Sequence, residues 1–98
     1  MKRVQIELTP RAQNLLLETI QWYNKQRKGQ GTKFYKEVIA TFESISKNPD
    51  TFQFRYKDVR VSPLKKHPYL VFYSIRKSTA YILAVLHCSQ NPENWPKK

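Results

Sequence analysis

The chain has one cysteine, two glycines, seven acidic residues and no long apolar run. A lone Cys88 cannot form an internal disulfide, and no Cys/His cluster exists to hold zinc, so the core alone must stabilise the fold, as suits a reducing cytoplasm. The longest apolar stretch, Ala80 to Leu86, is seven residues, against the roughly 20 that a helix needs to cross a bilayer. The Met1-Lys2-Arg3 start leads into no apolar signal region, so a soluble, cytoplasmic chain without a membrane partner is expected. Also missing are a Gly-rich phosphate loop, paired catalytic carboxylates and a Ser/His/Asp arrangement. Neither a cofactor nor a metal site is expected.

What is abundant is positive charge. Eighteen Lys and Arg against seven Asp and Glu leave +11 on 98 residues, a surplus that favours an anionic partner. At 40% hydrophobic content the length suits a single domain over residues 1–98 and is too short for a multidomain enzyme.

Val4, Ile6 and Leu8 alternate with Gln5 and Glu7, which predicts a strand over 3–8 with one buried face. Thr9-Pro10 reads as an N-cap and first helical position. Ala12, Leu16, Ile20 and Tyr23, flanked by Leu15 and Trp22, form a core-facing stripe on a helix that should stop near Lys28, at Gly29-Gln30-Gly31. A second helix, capped by Thr32, carries Phe34, Val38, Phe42 and Ile45, widened by Tyr35 and Ile39, and ends at Asn48-Pro49-Asp50. Two such stripes make an antiparallel hairpin that still needs a sheet to cover it.

Three strands, 59–64, 69–75 and 79–87, are separated by hairpin-length connections and should be consecutive and antiparallel. The last two are apolar on both faces by strict alternation and belong at the centre. Phe52 to Tyr56 reads equally as a short strand or an ordered loop, and the tail from about 91 is expected to be irregular. The fold class is therefore α+β, a helical hairpin on a mostly antiparallel sheet of three to four strands. Its core should include Leu16, Ile20, Val38, Phe42, Phe72, Ile82 and Leu86.

Arg55, Lys57, Arg60, Lys65, Lys66, Arg76 and Lys77 crowd positions 55–77 against Asp58 alone, interleaved with Phe54, Tyr56, Tyr69 and Tyr73. Basic groups beside stacking platforms suit RNA or single strands, or they guard a sheet edge. Lys25, Arg27, Lys28, Lys33 and Lys36 surround the hairpin tip. His87, ending an apolar strand, is a candidate general acid or base, or a cap for the sheet. Cys88 has no basic neighbour in sequence to activate it, and His67 reads as a surface turn residue. Trp22 and Trp95 read as packing residues, with Trp95 also a candidate partner anchor.

These elements, with "LTPRA" (Leu8 to Ala12), "NP" (Asn48, Pro49), "VR" (Val59, Arg60), "HPYLVFY" (His67 to Tyr73) and "AVLHCSQNPENW" (Ala84 to Trp95), resemble the RelE/ParE superfamily of bacterial toxin–antitoxin toxins over nearly the whole chain. The last motif looks like the ending of plasmid-stabilisation members on the ParE side. The resemblance implies a cytoplasmic toxin neutralised by an acidic antitoxin, with a heterotetramer as one assembly open to the pair. RelE-like members cut messenger RNA on the ribosome, whereas ParE-like members poison DNA gyrase. For the ribonuclease, the candidate catalytic residues are His87, Arg60, Lys65 and Lys66. Leu70 stands where the pattern has an arginine after the tyrosine, and Ser89 and Gln90 stand where it has a basic pair. The resemblance therefore favours a gyrase-directed toxin that is not an enzyme, with the ribosome-dependent ribonuclease as the alternative. Partner or nucleic-acid contacts are expected from Arg55, Lys57, Arg60, Lys65, Lys66, Tyr73, Arg76 and Trp95.

Overall fold

The computed structural model describes residues 3–96. Its elements are β1 (Gln5–Leu8), α1 (Pro10–Gln26), α2 (Gln30–Lys47), β2 (Phe54–Tyr56), β3 (Val59–Pro63), β4 (Tyr69–Arg76), β5 (Thr79–His87) and a 3-10 turn (Pro92–Asn94). The helical hairpin lies on one side of a five-stranded sheet ordered β1-β5-β4-β3-β2.

The expected three to four strands become five because the ambiguous segment adds β2 at the edge opposite the N-terminal strand. β1 runs parallel to β5, Gln5 opposite Thr79 through Leu8 opposite Ile82, while the other pairings are antiparallel. A parallel neighbour is available to β1 because the whole hairpin and three strands intervene as its crossover.

Thr9 joins these parts. Its Oγ1 accepts from the Ala12 amide at 3.2 Å, capping α1, and donates to the Ile82 carbonyl at 3.0 Å. At the hairpin tip, α2 starts two residues before the Thr32 cap that the sequence suggests. Gly29, with φ of 88°, occupies the N-cap position, a left-handed conformation that glycine adopts without steric penalty. Gly31 fills the helix–helix contact, where a Cβ would lie 2.5 Å from the Ile20 carbonyl. Its amide donates to Asn24 Oδ1 at 2.8 Å.

Strict alternation fails in β5. Phe72 pairs with Ala84 and Tyr73 with Ile82, leaving Leu83 as the extra residue of a bulge. The bulge reverses the inside–outside phase of β5. Ala80, Ile82 and Val85 therefore join Val71 and Tyr73 under the helices, in one core with Ala12, Leu16, Phe34, Val38 and Ile45. Ala84 and Leu86 lie on the far face with Val59, Val61 and Phe72. Of the expected core, Leu16, Val38, Phe42, Phe72, Ile82 and Leu86 are buried and Ile20 is half-buried. Tyr35 and Ile39 remain exposed, so the α2 stripe is narrower than expected.

The tail is more ordered than expected. Its 3-10 turn is capped by Asn91 Oδ1 accepting from the Glu93 amide. It brings Trp95 to 5.3 Å from Phe72, ring to ring, and so covers the far face.

Candidate functional site

The basic and aromatic candidates fall into three groups that the strands hold apart. The first lies at the β2 edge. Arg60, on the helix side of β3, donates through Nη1 to the carbonyls of Phe52 at 2.6 Å and Asp50 at 3.2 Å, and its Nη2 is 3.5 Å from Asp50 Oδ1. Its guanidinium also lies 3.9 Å from the centre of the Phe54 ring, and its side chain is only 16% exposed. Arg60 therefore ties the 50–52 loop to the sheet. Beside it Tyr73 is fully buried, with its hydroxyl donating to the Pro49 carbonyl at 2.8 Å. Burial pushes that phenol up to about 12, against the pull of Arg60. Tyr73 is a core residue with no exposed surface here, because the β4 pleat turns it under the helices.

On the far face of the same edge, Arg55 sits over the Trp95 ring at 5.9 Å and Lys57 beside Tyr56 at 5.5 Å. Arg55, Tyr56, Phe72, Pro92 and Trp95 line a cavity of about 330 Å³. Arg76 lines a separate cavity of about 210 Å³ with Thr9, Tyr81 and Leu83 near the other edge. Arg55 and Trp95 thus meet, with Lys57 beside Tyr56 at the same edge, while Arg76 stands apart from them.

The second group is the β3–β4 connection. His67, expected on the surface, is folded inward with its side chain 16% exposed. Its ring meets Tyr23 and Phe34 edge-on, each at 5.3 Å. Nδ1 donates to Glu37 Oε1 at 2.7 Å, while Glu37 Oε2 accepts the backbone amides of Lys65 at 2.8 Å and Lys66 at 2.7 Å. Burial alone would raise the Glu37 carboxyl, but the hydrogen bonds from His67, Lys66 and Lys65 outweigh it and hold the group below its ordinary value. Lys65 and Lys66 are oriented by their amides and extend exposed ammonium groups outward. Sequence reasoning missed Glu37; its one signal was being the first acid after an 18-residue stretch, 19–36, without one.

The third group is His87. Its Nδ1 accepts from the Ser89 amide at 3.0 Å, with the Ser89 hydroxyl 2.8 Å away, and its ring lies edge-on to Tyr69 at 5.0 Å. An amide donor requires Nδ1 to be unprotonated, so that nitrogen closes the strand end and is unavailable as a base. Cys88 is exposed, its amide donating to Pro68. Among the described residues no group of three or more His, Cys, Asp and Glu could hold a metal ion, and no helix is long and apolar enough to cross a membrane.

The family described as ParE toxin of type II toxin-antitoxin system, parDE, matches residues 6–92. A solved structure titled "Chromosomal ParDE TA system from P. aeruginosa" superposes with a TM-score of 0.76, covering 87% of this chain and 96% of that chain at 13% sequence identity. At that identity the likeness carries the fold alone. No curated protein matches the chain.

Proposed function

Because the chain belongs to the ParE toxin family of type II toxin–antitoxin systems, we propose that it acts by binding DNA gyrase and that an acidic antitoxin neutralises it. The observation that carries this reading is where the candidate catalytic groups are held. Arg60 is engaged by Asp50 and Phe52, and His87 Nδ1 by Ser89. Leu70 packs against the far-face cluster. A ribonuclease needs such groups to converge on one phosphate, one to take the 2′-hydroxyl proton and another to neutralise developing charge. Here Arg60 and His87 serve two different local anchors instead. The charge left at the surface, on Arg55, Lys57, Lys65 and Lys66, suits binding. The +11 balance gives an acidic antitoxin long-range attraction that speeds its encounter.

Inducing the protein without its antitoxin tests the target. Arrest of DNA replication and a DNA-damage response, while translation initially continues, is the expected result. Early translation arrest with messages cut at ribosome-bound codons would overturn it in favour of the ribonuclease. In that case His87→Ala should lower cleavage about 10²–10⁴-fold.

A further inference from the structure

Between α2 and the β3–β4 connection lies a cavity of about 500 Å³ walled by Lys33, Lys36 and Ala40 on one side and Lys65, Lys66 and His67 on the other. Its one acid, Glu37, turns inward to His67 and the two amides. Among the described residues, none of the four ammonium groups is paired with a carboxylate. A second cavity of about 180 Å³ shares Glu37, Ala40 and Lys65 and continues along Thr41 and Ser44 to Phe52 and Ser62. The two make one groove running beside α2 from Lys33 to Ser44, roughly 16 Å of helix axis.

We infer that this groove seats an acidic segment of the protein partner, with one apolar side chain over Ala40 and carboxylates reaching the lysine pairs on both walls. The inference rests on the antitoxin reading and adds where that partner docks. Charge complementarity selects an anion, and the lining decides which kind. A phosphate would need donors at the floor, but the amides of Lys65 and Lys66 and the His67 Nδ1 proton are already given to Glu37. Bases would need free stacking platforms, yet the exposed Phe54 and Tyr56 do not line this groove, Phe52 packs against the helix-side core, and the His67 ring is engaged edge-on by Tyr23 and Phe34. A methyl floor between lysine stems fits an apolar anchor flanked by acids. The length fits about three helical turns or about five extended residues.

The test uses the full chain and the candidate antitoxin, defined as a small acidic protein whose reading frame abuts its own, with a 12-nucleotide single-stranded RNA as a second probe. One variant carries Lys33→Gln, Lys36→Gln, Lys65→Gln and Lys66→Gln, and a control of equal net charge carries Lys25→Gln, Arg27→Gln, Lys28→Gln and Lys77→Gln. The groove set should weaken the protein partner at least tenfold and the control less than threefold. Ala40→Arg separates shape from charge: it raises the net charge yet should also weaken binding about tenfold. Equal weakening by both sets, tighter binding by Ala40→Arg, or a groove-set loss confined to RNA would overturn this location while leaving the antitoxin reading intact. No complex with the acidic protein at all would overturn the antitoxin reading and this inference with it. All these positions are exposed, and circular dichroism melts confirm that each variant folds.

Discussion

The two faces of the sheet are closed by different means. On the helix side, two helices of 17 and 18 residues cover large apolar side chains, and the polar groups they enclose are paired across elements: Thr9 with Ile82, Tyr73 with Pro49, His67 with Glu37. On the far side, Val59, Phe72 and Ala84 are covered by a tail held together by its own hydrogen bonds, Glu93 to Asn91 and Trp95 to Pro92. Trp95 Nε1 is buried with no hydrogen-bond partner among the described residues. One face is therefore bonded to its cover, while the other holds its cover by apolar contact and the nearby Arg55. Local stability should differ accordingly.

The sharpest way to break this comparison is to empty one position on each side. Phe34→Ala, beneath His67 and Tyr69, should cost about 3–5 kcal/mol in denaturant unfolding. Trp95→Ala should cost only about 1–2 kcal/mol, because the tail can detach without opening the core. It should also raise amide exchange on the far face before the helix side. Equal losses would show that the two faces form a single cooperative unit.

Next in size is Glu37→Gln. A carboxylate that accepts three hydrogen bonds becomes an amide whose NH₂ must face donors, and a loss of about 2–3 kcal/mol is expected. Because the folded-state value of Glu37 is depressed below 4.5, its contribution is fully present above that ordinary value and disappears as pH falls through the folded value. Wild-type melting temperature should therefore drop below about pH 4.5. That part of the acid sensitivity should be absent in Glu37→Gln.

The smallest expected change touches neither face. Lys77 turns between β4 and β5 with φ of 54°, a left-handed conformation unfavourable for a residue with a Cβ. Lys77→Gly should stabilise the fold by about 0.5–1 kcal/mol and leave the difference between the faces unchanged in hydrogen exchange.

Which features the sequence made legible follows the same division. The helical stripes and the central strands could be read because burial repeats at helix and strand periods, as at Leu16, Val38, Phe42 and Phe72. The phase of β5 could not, since the Leu83 bulge lies in how β5 pairs with β4, Phe72 with Ala84 and Tyr73 with Ile82, which the alternation along one strand does not show. The far-face role of the tail was hidden similarly: Trp95 showed as an anchor, but its docking surface is made of strands distant in sequence. Among the candidate site residues, charge was readable and engagement was not. Arg60 and Lys65 look alike as basic residues, yet one is bonded inward to a loop 8–10 residues before it and the other points outward. His67 reads as a turn residue until the Glu37 carboxylate, 30 positions earlier, draws it in.

The parallel pairing of β1 with β5 also constrains the order in which the chain can be completed during synthesis. The helical hairpin needs only local contacts, and β2, β3 and β4 can assemble as a meander, but β1 has no partner until residues 79–82 have emerged. Up to that moment the first strand waits with its backbone groups unpaired, and when β5 appears it joins β4 on one side and must capture β1 on the other. Closing so long a loop is slow compared with forming the hairpin. A ribosome-bound chain lacking β5 should therefore have an assembled hairpin and an unclosed sheet, an intermediate with an open strand edge that is prone to aggregate. Maturation is set by the last strand made, and the first strand is the one it completes.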